Sequence, residues 1–236
     1  MERRSLLSKE EPTEALCNHL NVYNVPTSSI ATPPPFISVP SRRDPSLPTH
    51  ILALYPSSTS HSNQPTPLLV PVNVNLYNRG FRTDVIPPAT PGTVPPVPHS
   101  TTSPPGFMIT LPVIPLTVPH PPSIPLLLLY GMGLETEQQL LPPRLLPEHV
   151  IAEFPNAAEM AQAFATRVRD SHEHDQPLDD DNIFQHRVRF NQGLWQNVLA
   201  LGLKDQAVVE LIQTAWNITA EARRLRLRYK QIAPAW

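Results

Sequence analysis

Proline sets the limits on what this chain can fold into. Of its 32 prolines, 30 precede residue 156, and only Pro177 and Pro234 follow. Each proline removes a backbone donor and clashes with a continuing helix. Long helices are therefore confined to the last third of the chain. Before it, the permitted elements are short helices that start at a proline and strands in edge positions. Charge is sparse there too: from Pro45 to Leu134 only Arg79, Arg82 and Asp84 are charged. The predicted class is α+β, in three parts. Residues 1–47 read as a disordered, proline-rich N-terminal tail. Residues 48–146 read as a proline-rich β/α segment, and residues 147–232 as a helical interaction module.

The helical module centres on Phe190–Trp216. Phe190, Leu194, Val198 and Leu201 fall at steps of four, four and three, with Trp195 and Leu199 widening the stripe. Gln192, Gln196 and Asn197 are assigned to other faces. Gly202 stands where a helix end needs positive φ, and Asp205 where the next helix needs an N-cap. Val208, Ile212, Ala215 and Thr219 make the second stripe, beside Val209 and Trp216. A connection of about four residues favours antiparallel packing. Trp195 and Trp216 are read first as core packing. Two indoles exceed what a hairpin alone encloses, so something else must cover them. As exposed anchors instead, Trp195, Leu199 and Trp216 are the candidate partner-binding residues. The preceding helix, the proline-rich half or a second copy of the chain is the candidate cover. The preceding helix is expected over Asn156–Asp170, with a stripe of Ala157, Met160, Phe164 and Val168.

Further upstream, THILALY (Thr49–Tyr55) reads as a strand between prolines. Val70, Val72, Val74 and Leu76 alternate with Pro71, Asn73 and Asn75, which predicts a strand over Leu68–Tyr77 followed by a turn at Asn78-Arg79-Gly80. Pro71 places that strand at an edge. Phe107–Val118 is a third strand candidate broken by proline. Ile124–Tyr130 reads as an apolar helix, Glu135–Leu141 as a short one, and Ser5–Leu20 has short-helix character.

Chemistry-bearing motifs are few. The net charge of −2 gives no general attraction to nucleic acid or anionic membrane. The single cysteine, Cys17, excludes an intramolecular disulfide and favours a reducing compartment. The first residues lack the uninterrupted apolar core of a secretory signal. Ile109–Leu134 is apolar but carries six prolines, which argues against a spanning helix. His172 and His174 stand among carboxylates in Ser171–Asp181, a pattern better read as a solvated loop than a metal centre. No catalytic, cofactor or metal pattern emerges, so the chain is expected to be non-enzymatic. The sharpest charge cluster is RRLRLRYK: Arg223, Arg224, Arg226, Arg228 and Lys230. An antiparallel hairpin lays it alongside Asp179–Asp181, so intramolecular pairing is its expected main role. Nuclear import and nucleic-acid contact are the alternatives.

Gly193-Leu194-Trp195, Asn197-Val198, Ala200-Leu201-Gly202 and Asp205, followed by Leu211-Ile212 and Ala215-Trp216, resemble the C-terminal signature of fungal clampless-type proteins. Leu111–Leu116 with Leu126–Tyr130 is similar to the central segment of that family. The resemblance implies a non-enzymatic, intracellular regulator of basidiomycete sexual development, in nucleus or cytoplasm. Its role would lie in clamp-cell and dikaryon formation, acting through a protein partner. The alternative is a transcription-associated factor whose basic C-terminal helix contacts DNA. The middle segment resembles a small, degenerate BTB/POZ-like fold. The sequence departs by carrying Asn73 where a histidine is expected in that fold, and Val209 where the family pattern has tryptophan.

Overall fold

A computed structural model of the chain describes residues 5–23, 32–42, 47–57, 66–88, 95–102, 105–153, 156–166 and 177–232. The fold is mixed α+β and divides into two units. One comprises Met1–Thr136 with Gln196–Asp205, the other Glu137–Trp195 with Gln206–Trp236.

The first unit is built on a five-stranded sheet: β1 (Phe36–Ser41), β2 (His50–Pro56), β3 (Leu68–Val72), β4 (His99–Thr102) and β5 (Pro105–Val118). The order is β1-β5-β2-β3, with β4 paired to the start of β5. β5 is long enough to serve successive partners. It pairs antiparallel with β1 over Phe107–Pro112 and parallel with β2 over Val113–Val118. β2 and β3 are antiparallel, and β3 lies at the edge, where Pro71 placed it. Ile51, Leu52, Ala53 and Leu54 are all buried, so both faces of β2 are covered. One cluster joins Cys17, Val22, Val39, Ile51, Ala53, Leu69, Ile109 and Leu111.

Three helices accompany the sheet. α1 (Pro12–His19) starts at a proline and packs on α3 (Ile124–Gly131) and β3. Every residue of α3 is buried, as a helix apolar on all sides requires. α2 (Val74–Gly80) packs on α3 as well. Gly80 and Gly131 make that crossing possible. A Cβ on Gly80 would stand 1.5 Å from the Gly131 carbonyl oxygen, and one on Gly131 would stand 2.1 Å from the Phe81 ring.

Several sequence expectations are corrected here. The tail over 1–47 was expected to be disordered, yet α1 and β1 lie within it. Leu7, Leu16 and Leu20 are buried, and β1 pairs with β5 across about seventy residues of chain. The alternating run Leu68–Tyr77 is strand only to Val72. Asn73 then caps α2, its Oδ1 accepting from the Asn75 and Leu76 amides, so the expected turn at Asn78–Gly80 is the end of a helix. Phe107–Val118 is not broken by its prolines and lies within the single continuous strand β5. Glu135–Leu141 yields only a 3-10 turn over Gln138–Leu140.

The segment 196–205 is tied into the first unit by hydrogen bonds. Asn197 is fully buried. Its Nδ2 donates to the His120 carbonyl (2.7 Å) and Ser123 Oγ (2.9 Å), while the His120 amide donates to its Oδ1 (3.3 Å). Asn197, assigned to a face other than the apolar stripe, is thus buried as well. Gly202 adopts φ +67°, as its place after the last apolar residue predicts. The Arg82 and Thr83 amides donate to the Gly202 and Leu201 carbonyls, and the Lys204 amide donates to Gly80.

The Gly80–Gly131 crossing yields a direct prediction. Gly80→Ala should destabilise the first unit by about 3 kcal/mol or more, because backbone must move to admit the methyl. Gly106→Ala, which meets nothing within 4 Å, should stay within about 1 kcal/mol of wild type. Urea denaturation followed by circular dichroism measures both.

Candidate functional site

The second unit contains α4 (Pro142–Leu145), α5 (Glu148–Glu153), α6 (Ala157–Thr166), the start of α7 (Pro177–Leu201) and α8 (Gln206–Ile232). α7 begins at Pro177, a residue suited to a first helical turn. His172, His174 and Val168 lie outside the described residues. α6 packs on α8 through a face shifted from the expected one: Ala161, Ala163, Phe164 and Ala165 are buried, while Ala157 is exposed.

Two polar contacts define the α7/α8 pairing. Asn191 is buried, and its Nδ2 donates to Thr219 Oγ1 (2.8 Å) and to the Leu145 carbonyl (2.9 Å). Ten residues earlier on α7, Asp181 Oδ1 accepts from Arg226 (2.9 Å) and Oδ2 from Lys230 (3.0 Å). Positions rise on α7 as they fall on α8, so the helices run antiparallel. Asp181 thus stands where the predicted hairpin register places it, against the basic cluster.

The five basic residues are not equivalent. Arg226 is only 8% exposed. Its guanidinium lies 3.8 Å from the centroid of the Phe184 ring, which in turn meets Phe164. Its Nε donates to the Ala165 carbonyl (3.2 Å). One side chain therefore joins α6, α7 and α8 through a cation–π contact, a backbone bond and an ion pair. Lys230 is tied to Asp181 and Arg224 to Glu221, both in exposed settings. Arg223 and Arg228 are exposed, with no hydrogen bond or ion pair among the described residues. The Lys230 hydrogen bond, then the charges of Lys230 and Arg226, hold the Asp181 carboxyl below its ordinary value.

The apolar candidates separate as well. Trp195 and Trp216 are each half-buried, and the register brings them to about the same level of the α7/α8 pair. Leu199 is 64% exposed and belongs to the first unit, so it does not widen the buried stripe. The buried residues of α7 include Phe184, Val188, Asn191, Leu194, Val198 and Leu201. Asn191 escaped the sequence reading because its amide occupies a core position on the strength of partners in other elements. Its one signal is spacing: it falls three residues after Val188 and three before Leu194.

Among the described residues no group of three or more His, Cys, Asp or Glu is placed to hold a metal ion. None of the described helices is long and apolar enough to cross a membrane. Residues 138–234 match the family model described as the Clampless protein 1 C-terminal domain, a match that supports a clampless-type family for this part of the chain. No curated protein and no solved structure matches the chain.

The Arg226 junction makes graded predictions. Arg226→Ala should cost about 2–4 kcal/mol, since it removes packing against Phe184 and the bond to Ala165 as well as charge, and leaves Asp181 with Lys230 alone. Asp181→Asn should cost under about 1 kcal/mol, because the carboxylate is half-exposed and screened. The Asp181 carboxyl is held below its unfolded value, so its contribution is complete above that value. It is lost as pH falls through the lowered one. Thermal melts across the acid range should show a shallower loss of stability in Asp181→Asn than in wild type.

Proposed function

We propose that this clampless-type chain is a non-enzymatic intracellular regulator of fungal sexual development, contributing to clamp-cell and dikaryon formation by binding a protein partner. It would work in the nucleus or the cytoplasm, on the reading of an intracellular chain given above. The observation that carries the proposal is the matched C-terminal domain, together with a helical unit in which Trp195 and Trp216 remain half-exposed. A half-exposed indole offers a large rigid apolar surface at small entropic cost, the property that favours tryptophan at interfaces. The BTB/POZ-like reading of the middle segment belongs to the same proposal. It is supported by the succession of β2, β3, α2, β5 and α3 in the first unit, and by Asn73 standing at a helix start rather than within a strand.

The DNA-binding alternative loses support from the commitment of Arg224, Arg226 and Lys230 to carboxylates of the same chain. Nuclear import by the basic cluster is compatible with the proposal and is not needed for it.

The test is affinity purification from mating hyphae with the full chain and a Trp195→Ala variant. The wild type should recover a specific protein partner. The variant should lose most of it while its helical signal persists, with stability lowered by about 1–3 kcal/mol. Recovery of no protein, together with DNA binding that weakens steeply with salt, would move the assignment to the transcription-associated reading.

A further inference from the structure

α8 carries two parallel stripes of different character. Val208, Ile212, Ala215, Thr219, Ala222 and Arg226 follow steps of four, three, four, three and four, and all are buried. One residue further round, Trp216, Ala220, Arg223 and Leu227 repeat steps of four, three and four. Trp216 and Ala220 are half-buried, Arg223 is exposed and Leu227 is 53% exposed. This second stripe is apolar at both ends, small in the middle and cationic between. Arg228 adjoins its end, and both Arg223 and Arg228 lack an ion pair or hydrogen bond among the described residues.

We propose that the stripe Trp216–Ala220–Arg223–Leu227, with Arg228 at its edge, is the docking site for an acidic amphipathic helix of a partner protein. This rests on the reading of the chain as a regulator that acts by protein contact, and it specifies the partner's chemistry. The partner's apolar side chains cover Trp216 and Leu227, and its carboxylates meet the two uncommitted guanidiniums. Ala220 lets the partner's backbone approach, since no large side chain intervenes. From Trp216 to Leu227 the stripe measures about 17 Å, or three turns of an apposed helix. The guanidinium plane suits bidentate pairing with carboxylate.

The same surface is poorly matched to nucleic acid. Affinity for a phosphate backbone grows with the number of cations that neutralise phosphates. Here three of the five basic residues are engaged by Glu221 and Asp181. A duplex backbone also offers no apolar group to cover Leu227 and Trp216.

The test uses the purified full chain and fluorescence anisotropy. The probe is a labelled designed helical peptide with a Leu/Phe stripe flanked by glutamates. Its glutamine counterpart and a labelled DNA duplex are the comparisons. The glutamate peptide should bind saturably, and the glutamine peptide about tenfold more weakly. Leu227→Ser should weaken binding by about tenfold, the effect of exposing half a leucine's apolar area. Arg223→Gln with Arg228→Gln should weaken it about fivefold or more, a loss that shrinks at high salt. Both sites are exposed, so circular dichroism melts should match wild type.

No saturable peptide binding overturns the proposal, as does equal binding of the glutamine peptide or indifference to Leu227→Ser. Tighter, steeply salt-dependent binding of the duplex overturns it in favour of nucleic acid. If the hyphal partner is still recovered by a chain carrying Leu227→Ser and both arginine substitutions, this docking site falls while the contact-based regulator stands. If no hyphal partner is recovered by wild type but the peptide binds as described, the regulator reading fails and the acidic-helix site remains.

Discussion

The missing amide hydrogen of proline is the constraint on which the sheet depends. The Val113 amide donates to the Pro35 carbonyl, so odd-numbered residues of β5 face the β1 side and even-numbered ones the opposite edge. Pro112 therefore turns its nitrogen toward the stretch between the end of β4 pairing at Met108 and the start of β2 pairing at Val113. Pro115 turns its nitrogen to the β1 side, past the last residue β1 reaches. In β3 the same counting, anchored by the Ser57 amide on the Val118 carbonyl, directs Pro71 toward the open edge. Pro40 of β1 faces outward too, its carbonyl accepting from Tyr23. None of these four prolines sits where the ladder needs a donor. Their spacing fixes where each strand of the sheet can take a partner.

This explains both what the sequence disclosed and what it hid. Strand character at Thr49–Tyr55 and Phe107–Val118 was legible because β-branched and apolar residues dominate there. The continuity of β5 was not, since the ladder position of a proline depends on a partner strand that local pattern cannot supply. β1 was hidden for a related reason: Phe36–Ser41 is short, proline-containing and stabilised by a strand about seventy residues away. At Asn73 the difficulty was ambiguity. Val70, Val72, Val74 and Leu76 alternate correctly for a strand, but four positions do not separate period two from the first turn of a helix. The Asn73 side chain decides the matter by satisfying two amides of α2.

The helical part was more legible, because its pattern is long and its contacts are regular. Gly202, the α8 stripe and the opposition of Asp181 to the basic cluster all followed from spacing. What escaped was the polar content of the interior. Asn191 and Asn197 lie six residues apart on α7, and each bridges to a backbone carbonyl of another segment. A buried amide left without partners costs on the order of 1–3 kcal/mol, so these contacts favour one register over a slipped one. Apolar periodicity records where a helix buries its surface and carries no information about where a distant carbonyl waits.

The same reasoning separates the five basic residues, which are indistinguishable as a run of letters. A cation at the buried stripe of α8 needs compensating partners, and Arg226 has a carboxylate at Nη1, a carbonyl at Nε and an aromatic face. Lys230 lies one turn further along and shares the same carboxylate at the surface. Arg223 and Arg228, on neither of these positions, have no ion pair among the described residues. By fixing which side of α8 faces α6 and α7, Arg226 also fixes which side faces outward. The adjoining stripe, carrying Trp216 and Leu227, is exposed for that reason. The core contact and the outward-facing surface are thus two consequences of one helix orientation, and a substitution that turns α8 about its axis would alter both together.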